Sequence, residues 1–187
     1  YNAAGEQITA DTLVSSATHT AASPAVAVTA GGEAVIAWRQ SEGVFNVVRY
    51  RRVDAAGDLT SPILFGSQSA ASPAGNLAAA IDASGLITLA WERAVAPGSA
   101  PLGIYTRQFE ADTPLGVESL LSSSVGDTSS NVSLATLKNG DVRAVWQTLL
   151  TATNQNDIFT SRLTGNAALS SFVFDQDYNP IVGALVY

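Results

Sequence analysis

Three tryptophans set the period of this chain. Trp38, Trp91 and Trp146 lie about 53 and about 55 residues apart, a spacing in the range of repeat architectures. Each closes the same kind of segment: Glu33-Ala-Val-Ile-Ala-Trp38, Leu86-Ile-Thr-Leu-Ala-Trp91 and Asp141-Val-Arg-Ala-Val-Trp146. A short strand and a turn precede each one, with Ala25 to Thr29 before Gly31-Gly32, Leu77 to Ile81 before Asp82-Ala-Ser-Gly85, and Val132 to Leu137 before Lys138-Asn-Gly140. Gly-Gly and Asn-Gly between alternating runs signal hairpins, because they accept the positive φ of tight turns. The second strand is expected to end at its Trp, and surface loops to follow over Arg39 to Gly43, Glu92 to Leu102 and Thr148 to Asn156.

Third strands are predicted at Val47 to Val53, Gly103 to Phe109 and Asp157 to Leu163. Polar turns then lead to fourth strands around Ile63 to Phe65, Val117 to Leu121 and Phe172 to Phe174. Four short antiparallel strands per repeat make the chain all-β, with propeller-like repeats as the expected fold and a β-sandwich as the alternative. The 187 residues give about 3.5 repeats of ~53 residues in one all-β repeat domain, 1–187. Repeat boundaries are expected near 1–22, 23–74, 75–130 and 131–178, with 179–187 a partial unit. Both ends fall in mid-repeat, with strands expected near Ile8 to Val14 and Ile181 to Tyr187. Such edges expose backbone donors and acceptors, so the expected partner is a second copy joined through these strands, or further repeats of a longer protein.

Composition removes several classes of function. With no Cys there is no disulfide framework, thiolate nucleophile or Cys-ligated zinc, and the single His19 rules out multi-His metal sites. Nine basic against 16 acidic residues give a net charge of −7, which opposes nucleic acid and anionic lipid as partners. No apolar run is long enough for a membrane-spanning helix, so no membrane insertion is expected. No cofactor is expected either. A chain with no Cys, no Met and a single Lys138 suits an exposed bacterial protein, secreted or at the cell surface.

The stretch Gly103-Ile-Tyr-Thr-Arg-Gln-Phe-Glu-Ala-Asp-Thr-Pro-Leu-Gly116, followed by Leu134-Ala-Thr-Leu-Lys-Asn-Gly140 and Ala144-Val-Trp146, resembles repeats of large secreted bacterial hemolysin-type calcium-binding and adhesin proteins. The resemblance runs from about Tyr1 to Leu163 and implies a propeller-like repeat fold in an extracellular setting. The Gly-Gly-x-Gly-x-Asp nonapeptide that binds calcium in that family is missing, so no calcium site is implied. Asp82-Ala-Ser-Gly85 with Trp91 is also a distant echo of the Ser-x-Asp-x-Gly-x-x-Trp turn of sialidase propellers, at a different spacing. A sialidase-like site would need an Arg cluster and a Tyr nucleophile with an acidic partner. Arg49, Arg51, Arg52, Arg107 and Arg162 stand on third strands with Tyr50 and Tyr105 nearby, and are read as solvated outer-strand positions.

His19 lies in a polar link and is read as a surface residue. Asp157, Asp175 and Asp177 are read as turn chemistry, so no metal site is expected, and Asn131-Val-Ser133 matches a glycosylation sequon. The three tryptophans are read as repeated core packing in preference to a sugar-stacking platform. No catalytic residue is assigned and the ligand-binding residues stay unknown. The expected function is a non-catalytic secreted or surface repeat domain acting in adhesion or assembly. The alternative is a carbohydrate-active propeller, a lectin or a sialidase-like hydrolase, with glycans as partners.

Overall fold

The computed structural model describes residues 4, 10–43, 45–67, 75–95, 102–122 and 126–164, and every one of its regular elements is a β-strand. The first repeat forms β1 (Ala21–Val28), β2 (Ala34–Glu42), β3 (Phe45–Val53) and β4 (Leu64–Phe65). The second forms β5 (Leu77–Ile81), β6 (Ile87–Ala94), β7 (Leu102–Glu110), β8 (Thr113–Pro114) and β9 (Ser119–Leu120). The third forms β10 (Thr128–Thr136), β11 (Val142–Leu150) and β12 (Gln155–Leu163). Each repeat is its own antiparallel sheet, with strands side by side in chain order and β9 paired to β7. Among the described residues there are thus three sheets with two interfaces between them, where a sandwich has two sheets and one interface.

The hairpin between the first two strands is built the same way three times. Thr29, Asp82 and Leu137 each donate their N–H to the carbonyl four residues on, and accept from the N–H of Gly32, Gly85 or Gly140. Those glycines have φ of 90°, 85° and 86°, the left-handed conformation that closes a three-residue loop. Gly31 of the Gly-Gly pair stays outside that region, so one glycine per turn does the work.

Each Trp is the fifth residue of its second strand instead of its last. Pairing continues beyond it, through Gln40↔Val47 to Glu42↔Phe45 in the first sheet and through Thr148↔Asp157 to Leu150↔Gln155 in the third. The expected loops therefore shrink: residues 39–42, 92–94 and 148–150 are strand, and the third hairpin turns over residues 151–154. The polar side chains that suggested loops are buried between or within sheets and satisfied there, as where Ser129 Oγ lies 3.0 Å from Thr148 Oγ1. In the second repeat, part of the polar turn expected between the third and fourth strands is itself strand, β8. Ala111 and Asp112, at φ 44° and 67°, make a two-residue turn that pairs Glu110 with Thr113.

Residues 10–14 form no strand, against the expectation for the N-terminal edge; they lie beside the first sheet, where Thr12, Leu13 and Val14 line a groove against Trp38. Ile8, the fourth strand near Phe172 to Phe174 and the strand near Ile181 to Tyr187 lie outside the described residues.

Alternation gives every sheet a Trp-bearing face and a reverse face. Val35, Ala37, Val48 and Tyr50 on the reverse face of the first sheet pack on Leu77, Ala79, Leu89, Trp91 and Phe109 of the second. The reverse face of the second, with Ala78, Ala90 and Ile104, packs on Val132, Ala144 and Trp146 of the third. Small first strands let the sheets approach closely, and β1, β5 and β10 lie next to one another.

Candidate functional site

The structure adds a third shared position to each repeat. Fifteen residues or so before each Trp, at or near the start of the first strand, stand Ser23, Asn76 and Asn131. Ser23 and Asn131 have φ of 50° and 57° and sit in β-bulges, between Ala22 and Ala25 and between Ser130 and Ser133. A bulge turns its side chain out of the regular alternation, and Asn is among the residues that best accept a left-handed φ.

At the junction of the second and third sheets these positions converge. The Asn76 Nδ2 amide donates to Asn131 Oδ1 at 2.9 Å, and both side chains are exposed. Beneath them is the buried carboxylate of Glu92, whose Oε1 accepts the Asn131 backbone N–H at 2.6 Å. A carboxylate acceptor makes this bond stronger than a neutral one. The Glu92 backbone pairs with Asn76 and Gly75 on either side, at 3.1 Å in each case. A Cβ at Gly75 would lie 2.0 Å from Glu92 Oε2, so only glycine leaves the carboxylate room. The result is a pair of surface carboxamides bonded to each other, above a buried acid that anchors the backbone of Asn131.

A second polar row runs along the Trp-bearing face of the first sheet. Trp38 Nε1 donates to Gln40 Oε1 at 3.3 Å, Gln40 Nε2 to Glu42 Oε1 at 2.9 Å, and Arg49 Nε to the same oxygen at 3.0 Å. The Arg49 guanidinium lies 3.3 Å from the ring centroid of Phe65. Burial alone would raise the Glu42 carboxyl, but hydrogen bonds and charge from Arg49, with help from Gln40 and His19, hold it below its usual range. Next to this row, Leu13, Ala22, Pro24, Ile36 and Trp38 line an open apolar groove of about 290 Å³.

The third-strand arginines do not converge. Arg49 pairs with Glu42, Arg51 Nε donates to the Ser61 carbonyl at 2.8 Å, and Arg107 Nε to the Gly116 carbonyl at 3.3 Å. Arg52 crosses to the second sheet, donating to Asp112 Oδ1 at 2.6 Å and to the Gly85 carbonyl at 3.1 Å. Arg162 binds Asp141. These are structural partnerships, several of them half-buried, where solvated positions were expected.

Tyr50 is wholly buried, packed on Phe109 with ring centroids 5.0 Å apart, and its hydroxyl faces Asp112 at 3.4 Å. Burial, reinforced by the Asp112 charge, pushes its phenol far above the ordinary value, which is the reverse of what a nucleophile needs. Tyr105 lies under the Arg93 guanidinium, 3.9 Å from its ring centroid.

His19 is exposed, with Nδ1 near Thr18 Oγ1 and Ser16 Oγ at 3.0 and 3.2 Å. Asp157 is an exposed strand residue opposite Thr148, while Asp175 and Asp177 lie outside the described residues. Among the described residues no group of three or more acidic or His side chains is placed to hold a metal ion. The Asp82 carboxylate closes its own turn, accepting from the backbone of Ser84 and Leu86 at 2.8 and 2.9 Å. All three tryptophans are buried.

No family model and no curated protein matches the chain. Solved structures do. A Hadza microbial sialidase is similar at a TM-score of 0.54 and 13% identity, over 75% of this chain and 35% of that one. An endo-arabinase from Bacteroides thetaiotaomicron is similar at 0.48 and 19% identity, over 77% and 57%. A protein of unknown function from Dyadobacter fermentans is similar at 0.41 and 11% identity, over 76% and 66%. The chain spans about a third of the sialidase structure, and at this identity the likeness is one of fold.

Proposed function

We propose that the three sheets are blades of a β-propeller-like domain that binds neutral glycans at the end where its first strands begin. The observation that carries this reading is the Asn76–Asn131 pair over Glu92. Carboxamides offer both donors and acceptors, the complement of sugar hydroxyls, and a pair already oriented loses little freedom when a ligand arrives. The fold likeness to a sialidase supports a carbohydrate as the ligand class. Two observations favour uncharged sugars: the third-strand arginines already serve protein partners, and the chain carries a net charge of −7. A surface-attached or secreted domain that binds glycans without turning them over would act as an adhesin, which joins the two functions expected from sequence.

A glycan array read beside a panel of chromogenic glycosides tests this. Binding to neutral glycans, weakened at least about tenfold in Asn76→Ala and Asn131→Ala, is the expected result; tenfold corresponds to about 1.4 kcal/mol. Turnover of a glycoside would replace a binding role with a catalytic one, and a preference for sialylated glycans would overturn the neutral assignment.

A further inference from the structure

The same repeat positions that are buried inside the molecule are exposed at its two outer faces. Immediately before each Trp stand Ala37, Ala90 and Val145 on the reverse faces of their sheets. Ala37 and Ala90 are 0% exposed beneath the next sheet, whereas Val145 is 40% exposed. Leu149 and Ile158, the latter 71% exposed, share its open face. At the other end of the stack the relation inverts. Val26 and Val28 on the Trp-bearing face of β1 correspond in register to Ala79 and Ile81 of β5. Ala79 and Ile81 are buried against the first sheet, while Val26 and Val28 are 63% and 61% exposed, and Phe65 at the far edge of the same face is exposed too.

Apart from the part of the first sheet's face where residues 12–15 and Trp38 line a groove, these faces are the two halves of a junction that the molecule already makes twice. Charge matches as well. Toward the turn between its first two strands, the third sheet carries Lys138 and Arg143 beside the Arg162–Asp141 pair, and the first carries Glu33, Asp54 and Asp58 around the corresponding turns, with Arg51 held by the Ser61 carbonyl. The internal junction uses the same chemistry, since Arg52 on the third strand of one sheet binds Asp112 in the turn after the third strand of the next. Arg162 occupies the register position of Arg52, each lying opposite the residue three before its Trp.

We propose that the occupant of these faces is a second copy of this chain, joined head to tail, with the third sheet of one copy packed on the first sheet of the next. This is face-to-face packing, distinct from strand addition at a terminal edge, and it is independent of the glycan reading. A heterologous contact of this kind closes into a ring or extends as a filament according to the angle between copies.

Sedimentation equilibrium across a concentration series tests it with the full chain, wild type and two variants. Val26→Asp and Val145→Asp place like charges on exposed positions, one on each face, and circular dichroism melting checks that both remain folded. The wild type should associate. Each variant should dissociate at least about tenfold more readily, because a charge buried in an apolar junction is strongly disfavoured. Mixing the two variants leaves one intact pair of faces and should give a 1:1 pair that goes no further. A wild type that stays monomeric at the highest concentration, or folded variants that assemble as the wild type does, would overturn the proposal.

Discussion

The backbone N–H of Asn131 donates to the buried Glu92 carboxylate at 2.6 Å, so one side chain of the second sheet fixes the bulge that opens the third. Glu92→Ala leaves that N–H without its acceptor and should cost about 1 to 3 kcal/mol, measured by urea denaturation. Glu92→Gln keeps a neutral acceptor and should cost less. Equal stability in all three proteins would mean that water replaces the carboxylate freely.

The tryptophans are equivalent by position but not by surroundings. Trp91 is covered by the first sheet and Trp146 by the second, while among the described residues the face that carries Trp38 has only the 12–15 segment against it. Trp91→Ala and Trp146→Ala should each cost roughly 3 to 5 kcal/mol, and Trp38→Ala clearly less. Chemical denaturation of the three variants ranks them; Trp38→Ala as the most damaging would contradict the packing described.

Tyr50 predicts an alkaline limb in stability. Its folded-state pKa lies above the ordinary 10.0 because burial and Asp112 disfavour the phenolate, so above pH 10 the folded protein keeps a proton that the unfolded chain releases. Stability should hold below that pH and fall above it. In Tyr50→Phe, which packs the same ring without the hydroxyl, the fall should be shallower when denaturation midpoints are compared between pH 9 and 11.

Glu42 predicts the opposite limb. Its folded-state pKa lies below the ordinary 4.5, so its contribution is present above that value and fades as pH drops through the lowered one. Glu42→Gln should be less stable at neutral pH and should lose less on acidification. Matching acid limbs for the two proteins would show that the Arg49 contact contributes nothing to stability.

The repeat was legible because Trp, Gly and alternating small residues act locally: a glycine takes a positive φ whatever lies around it, and the period follows from counting. Strand ends were harder. Gln40, Glu92 and Thr148 are polar and follow a Trp, which reads as the start of a loop, yet all three are buried, and Glu92 and Thr148 bind partners 39 and 19 residues away. The site was less legible still. Asn131 drew notice as part of a sequon, while its actual partners, Asn76 and Glu92, lie 55 and 39 residues away. The usable signal was the common offset of Ser23, Asn76 and Asn131 before the tryptophans. The arginines misled for the same reason, since Arg52 finds Asp112 60 residues on and no local pattern announces it.

The central claim is that the oriented carboxamides of Asn76 and Asn131 meet a neutral glycan. Side-chain amide resonances in a nitrogen–proton correlation spectrum report on those two groups directly during titration with neutral oligosaccharides and with a sialylated one. The account predicts saturable shifts of both amides with a neutral sugar and weaker shifts with the sialylated ligand. Binding that leaves both amides unmoved, or no binding of any neutral sugar at millimolar concentration, would contradict it.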